Sequence, residues 1–396
     1  MSYFRRNMMG GGRMKPKSNE IWYTSTDGQI ITPSEFTILS NTYRNGVGRI
    51  VTNNRLSEVP ARCFRNITTL DKVWLPETVT QINSGAFANS SISEITGYGV
   101  SVIKGNKDLQ NLGAFENTTS LLSAEFPNVV TIEKQAFYNC NSLQNFIFDN
   151  VESIGNQAFR YCTGLTDVYL PKLVTLSTSA FADSGLITFT APILSSLPGY
   201  QDLAHNSAFN NCLNLEEITL GEIEIIPTYC FINRSKLHTL NIDFSKLREI
   251  QNRAFEGCSS LRISINAPML TTMGYNVYKN SGIENITIPR VLILQGGGGT
   301  IFTESPLASA KSLQSVTLED IQEIGSQAFS NCSSLESLII DNTTPPTIGD
   351  NVFRNIRNMP NIYVPDSSVD TYKEASGWSL YASRIHPMSE LPENTI

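Results

Sequence analysis

Residues 165–181 read LTDVYLPKLVTLSTSAF. Leu165, Val168 and Leu170 are spaced as the inward points of a short strand, which turns Asp167 and Tyr169 outward. Pro171 ends that strand. Leu173 and Leu176 return as a second buried edge, and Ala180 and Phe181 close the coil. A unit this short cannot bury its own apolar face, so it predicts copies stacked on either side.

The copies are present. With the closing Phe as a marker, Phe64, Phe87, Phe115, Phe137, Phe159, Phe181, Phe209, Phe231, Phe255, Tyr278, Leu307, Phe329 and Phe353 fall in register. Their spacings are 23, 28, 22, 22, 22, 28, 22, 24, 23, 29, 22 and 24 residues. Eleven of the chain's 19 Phe occupy this one slot, so the period is a property of the whole chain and not of a local motif. The expected fold is an α/β-type repeat solenoid of about 13 coils of 22–24 residues. Its strands run in parallel, about 4.8 Å apart. Asn stands two residues after the marker in nine of the thirteen copies, as at Asn66, Asn139, Asn211 and Asn331, which predicts a turn using left-handed backbone.

The pattern LxxVxLPxxVxxIxxxAFxNCxSL resembles the BspA-type leucine-rich repeats over about residues 56–360. It departs from the commoner leucine-rich repeat, in which Asn directly follows the strand. The resemblance implies a leucine-rich repeat solenoid with a parallel β-sheet, of the kind found in bacterial surface proteins and in phage proteins. It also implies adhesion rather than catalysis, and it transfers no ligand residues.

The ends read as caps. In residues 20–55, EIWYTSTDGQIITP from Glu20 predicts two strands around an Asp27-Gly28 hairpin. In residues 361–396, Asp366 or Ser367 is expected to cap a short helix through Glu374, with Gly377 stopping it. Tyr363, Tyr372, Trp378 and Tyr381 are then expected to cover the last coil. Caps are required because a solenoid end is an open strand edge.

A longer period lies over the short one. The three long spacings precede the third, seventh and eleventh markers, placing insertions at residues 98–113, 192–207 and 289–305. At one phase of the coil these stand in a row, roughly 19 Å apart. Insertions in solenoids gather on one face, often the binding face. The row is therefore the candidate for partner contacts, through Lys104, Lys107, Asp108, Tyr200, Asp202, His205, Gln295, Gly297 and Phe302; the alternative is loop drift or loops that only pack on neighbouring coils.

Chemistry is sparse. Cys140, Cys162, Cys212, Cys258 and Cys332 lie three residues after the marker, where other copies carry Ser90, Thr118, Ser184, Ser281 and Ala310. Cys63 and Cys230 replace the Ala before it, so all seven cysteines occupy slots for small residues and read as a reduced ladder. Arg234 is the outlier in the Cys slot and points to a locally open coil or to solvent. There is no CxxC or Cys/His spacing for zinc, the three His share no triad motif, and LQGGGGTIF lacks the ending of a phosphate loop. No cofactor, metal or catalytic residue is expected.

Net charge is −7, yet residues 1–18 hold Arg5, Arg6, Arg13, Lys15 and Lys17 without an acid, leaving 24 basic against 36 acidic residues elsewhere. An acidic body gives no reason to bind nucleic acid. The opening shows neither the apolar core of a secretory signal nor, anywhere, a membrane-spanning run. Residues 1–19 are expected to form an assembly arm, carried by Phe4, Arg5, Arg6, Arg13 and Lys15. The expected function is a non-enzymatic binding or display module for a protein or glycan, on a phage tail or fibre facing a bacterial surface. A bacterial cell-surface adhesin and a structural virion spacer are the alternatives.

Overall fold

The computed structural model describes residues 15–106, 112–199, 207–297 and 305–393. The chain forms two compact units, Met1–Gly185 and Leu186–Ile396. Each is a parallel β-solenoid with little helix, as expected of leucine-rich repeats.

In the first unit, a seven-stranded sheet runs in the order Asn145–Phe146, Ser123–Glu125, Glu94–Thr96, Leu70–Trp74, Glu20–Ser25, Val47–Thr52, Ile38–Arg44. The first four are consecutive coils paired in parallel. The last three are antiparallel, and Glu20–Ser25 pairs with Leu70–Trp74 to cover the edge of the first coil. The predicted hairpin at Asp27-Gly28 is absent: Asp27 accepts the Gln29 N–H in a local turn, and Ile30–Pro33 is not a strand. Ile31 instead donates its N–H to the Tyr23 hydroxyl. The hairpin is at Asn45-Gly46, where both φ angles are positive (53° and 82°), as a two-residue type I′ turn requires.

A second ladder of two-residue strands joins the far side of the coils, from Glu58–Val59 to Thr175–Leu176. The third side is the Ala-Phe turn. Its rings stack at 5.0, 5.1, 4.8, 5.2 and 5.3 Å from Phe64 to Phe181, with planes within 3–4° of parallel. Its backbone is bonded coil to coil, as in Phe137 N–H to Ala158 O (2.9 Å) and Asn139 N–H to Arg160 O (2.8 Å). In most coils two residues are left-handed. The Asn slot is one, as in Asn139 (φ 59°), and the residue before Ala is the other, as in Gln135 (φ 56°). The second escapes sequence reading because Gln, Arg, Ser, Tyr and Asn all fill it. The Asn side chains also form a ladder, Asn139 to Asn117 at 3.0 Å and Asn89 to Asn66 at 3.1 Å.

In the second unit, Thr188–Ala191, Glu217–Glu222 and Thr239–Asp243 pair in parallel. A separate six-stranded sheet runs from Ser264–Asn266 to Ile385–Pro387. At its end Val369–Glu374 is helical, but its N-cap is Ser368 without a side-chain bond; Asp366 is spent accepting the Ser389 N–H. Tyr372 and Trp378 are fully buried against the last coil, where the Trp378 indole donates to Pro346 O (2.7 Å).

Candidate interaction surface

The outward residues of the long strands make one face in each unit. In the first it carries Lys72, Glu94, Glu125, Asn145, Asp167 and Tyr169, with Val73, Ile95, Ala124 and Val168 pointing inward between them. Lys72 pairs with Glu94 (2.5 Å), and Tyr98 donates its hydroxyl proton to Glu125 (2.8 Å). In the second unit the face is largely amide and hydroxyl, bonded sideways: Ser315 donates to Asn285 (2.7 Å) and Asn285 to Ser264 (2.9 Å).

The first face is split. Asn145–Phe146 ends the seven-stranded sheet, and Asp167–Tyr169 of the next coil does not pair with it. The coils touch before the split, where Gly164 donates to Asn141 O (2.9 Å). They rejoin after it, where Lys172 donates to Asn150 (2.7 Å). Between these brackets the sheet order leaves Asn145–Phe146 without a partner strand on this side. The result is a cleft of about 840 Å³, lined among others by Glu125, Gln144, Asn145, Phe146, Thr166 and Asp167.

Two aromatic rings, Phe146 and Phe148, crowd the strand at the split. The slot that holds Ala124 in one neighbour and Val168 in the other holds Phe146. Its ring meets those of Phe148 (4.6 Å), Phe137 (5.2 Å), Phe159 (5.6 Å) and Phe126 (6.3 Å), mostly edge-on. Phe189 fills the same slot and its strand still pairs with Glu217–Glu222, but there the next inward residue is Ala191, whereas here it is Phe148, so two rings crowd one strand. The other two sides hold: Ser153–Ile154 pairs with Thr175–Leu176, and Phe137 stacks on Phe159 at 5.2 Å.

Of the residues expected to make contacts, Lys107, Asp108, Tyr200, Asp202, His205 and Phe302, with Phe4, Arg5, Arg6 and Arg13 of the arm, lie outside the described residues. Lys104 pairs with Glu133 (2.9 Å), whose other oxygen accepts the Gly105 N–H (3.0 Å), so it holds the base of its insertion. Gly297 donates to Ser326 O (2.8 Å), beside Gln295 in the same stem. Lys15 reaches Glu77 (2.6 Å). A second groove, of about 540 Å³, lies at the stem of the middle insertion, between Ser195, Ser196, Gly199 and Glu222, Lys246, Gln251.

The thiols are packing groups with a polar duty. Cys140 donates its S–H to Phe115 O (3.0 Å), Cys162 to Phe137 O (3.2 Å) and Cys332 to Leu307 O (3.0 Å). Thr118 does the same with its hydroxyl (3.0 Å to Phe87 O). The seven Cys are buried and free. Burial pushes Cys258 and Cys332 up to about 12. Arg234 neither opens its coil nor reaches solvent: it is 3% exposed, and its charge favours the thiolates of Cys230 and Cys258 against their burial. Among the described residues no group of three or more His, Cys, Asp or Glu is placed to hold a metal ion. No helix there is long and apolar enough to cross a membrane.

The repeat, the turn ladder and the open face define a leucine-rich repeat protein. The chain belongs to the BspA-type leucine-rich repeat family, whose pattern matches residues 33–107, 103–201, 196–297 and 300–377. Among solved structures it is similar to a leucine-rich repeat protein from Bacteroides ovatus (16% identity, 89% of this chain and 90% of that one, TM-score 0.33). It is similar also to a leucine-rich cell surface protein from Faecalibacterium prausnitzii (18% identity, 92% and 93%, TM-score 0.28). A third is the pneumococcal vaccine antigen PcpA (15% identity, 80% and 88%, TM-score 0.32). No curated protein sequence matches the chain.

Proposed function

We propose that the chain is a non-enzymatic binding module that engages a protein or glycan at a bacterial surface through the outward face of its strands. Family membership supports the class. The observation that carries the reading is the split face of the first unit, where a cleft stands open at Asp167, on the strand that also carries Tyr169, an aromatic side chain 58% exposed. Exposed aromatics next to a concavity are the usual anchors of an interface. Surface display is the location that fits the family; a virion location is favoured only by the basic opening segment.

The test is retention of the fluorescent full chain on intact bacterial and epithelial cells. Saturable retention that falls at least tenfold with Tyr169→Ala and Asp167→Lys is expected. Protease treatment of the cells separates a protein ligand from a glycan. Retention indifferent to both substitutions would discard the strand face. Mass spectrometry of purified particles decides the virion location: presence of the chain supports it, absence removes it.

A further inference from the structure

We infer that the cleft between Asn145–Phe146 and Asp167–Tyr169 binds an extended, basic peptide segment of a partner protein, which adds as a strand to the open edge of Asn145–Phe146. This rests on the reading of the chain as a binding module and names the partner chemistry. Elsewhere in the seven-stranded sheet the coil strands are paired on both sides; this one is paired on one side only, with Ser123–Glu125. An unpaired strand edge inside a cleft offers main-chain donors and acceptors in the spacing of an extended chain. The open stretch, residues 144–149, spans roughly 20 Å at about 3.3 Å per residue, enough for a segment of about six residues.

Charge selects the segment. The cleft is lined by two carboxylates, Glu125 and Asp167, and by no basic side chain. Glu125 is held in place by Tyr98, and Asp167 by the Thr166 hydroxyl at 2.7 Å. The basic neighbours on the same coils are committed elsewhere: Arg160 to Asp183 (3.0 Å) and Lys172 to Asn150. Lys or Arg on alternate positions of an added strand would face these carboxylates while its backbone pairs with the edge. Tyr169, exposed on the opposite lip, supplies the apolar contact.

The experiment is fluorescence anisotropy of labelled Lys-Val-Lys-Val-Lys-Val on the full chain. Three controls apply: the Glu-Val hexapeptide, the Lys-Val hexapeptide N-methylated at alternate residues, and Phe146→Val protein, in which the strand is free to close onto Asp167–Tyr169. We expect saturable binding of the first peptide, at least tenfold loss on N-methylation or with Phe146→Val, and no binding of the acidic peptide. A Glu125→Gln, Asp167→Asn chain should bind several-fold more weakly. Equal binding of the N-methylated peptide, or undiminished binding by folded Phe146→Val protein, overturns strand addition. Should Phe146→Val fail to fold, the N-methylated peptide on the native chain still decides. Failure of every peptide together with intact cell retention removes this inference and leaves the binding module standing; failure of both removes the two.

Discussion

The long-strand ladder is interrupted once in each unit, and the two interruptions have different causes. In the second unit the break lies between Thr239–Asp243 and Ser264–Asn266. It follows from chain length. Leu261 and Ile265 are four residues apart where other coils have three, and the preceding coil carries an extra turn, Phe244–Lys246. That turn packs against Ser264–Asn266 and covers the gap. In the first unit the coils on both sides of the break keep the 22-residue spacing, and the break lies at the strand that carries two crowded rings, Phe146 and Phe148. Among the described residues nothing covers it, and a cleft remains. An insertion brings residues that can fill the space it opens, whereas a volume mismatch leaves the edge bare.

The largest expected effect tests what holds the coils together around the bare edge. Phe159 is fully buried and stacks on Phe137 and Phe181 while supporting Phe146 and Phe148 from below. Phe159→Ala should lower stability by about 3–5 kcal/mol in urea unfolding. Phe146→Ala removes a ring that is only half-buried and relieves crowding, so less than about half that loss is expected. Equal losses would mean that Phe146 is an ordinary core residue and that the break has another origin.

This difference also marks where the sequence was legible. The marker Phe, the Asn turn and the strand slots repeat in type, and a repeat in type is visible along one chain. The break in the second unit is visible too, as spacings of 24 and 23 residues and a shifted Ile265. Phe146 and Phe148 are apolar residues in apolar slots, so the pattern passes over them. Their effect depends on volume relative to Ala124 and Val168 in the neighbouring coils, and only aligning slot against slot would have exposed it. The misplaced hairpin has a related cause: Asp27-Gly28 and Asn45-Gly46 carry the same local signal, and pairing with Leu70–Trp74 leaves Glu20–Ser25 a partner without the first turn.

The turn side should respond more weakly than the rings but more strongly than the thiols. Asn139 holds φ at 59° and extends the amide ladder to Asn117. Asn139→Ala retains the backbone bond to Arg160 O but loses the amide and strains the left-handed residue, at a cost of about 1–2 kcal/mol. Asn139→Gly should recover most of the backbone part. In the other break, Phe244→Ala strips the cover from Ser264–Asn266 at about 1 kcal/mol, because Phe244 is half-exposed. Its sharper readout is faster amide exchange across residues 264–266, which would make the second break resemble the first.

The smallest effect at neutral pH concerns Cys162, which ties the two coils of the cleft together on their closed side through Phe137 O. Thr118 fills the same slot with a hydroxyl, so Cys162→Ser should change stability by less than about 1 kcal/mol near pH 7. The thiols separate from hydroxyls only in alkali. Burial raises Cys258 and Cys332 from the ordinary 9.0 to about 12, and Cys162 in the same direction. Between those values the unfolded chain has lost thiol protons that the folded chain keeps. The folded state therefore binds more protons, and stability falls as pH rises through this window. Each such thiol contributes a slope of about 1.4 kcal/mol per pH unit. A chain with Cys162, Cys258 and Cys332 replaced by Ser should match the parent near pH 7 and unfold at a higher pH in an alkaline titration followed by circular dichroism. Coincident alkaline transitions would show that these thiols ionise over the same pH range in the folded and unfolded chain, and hence that folding does not shield them.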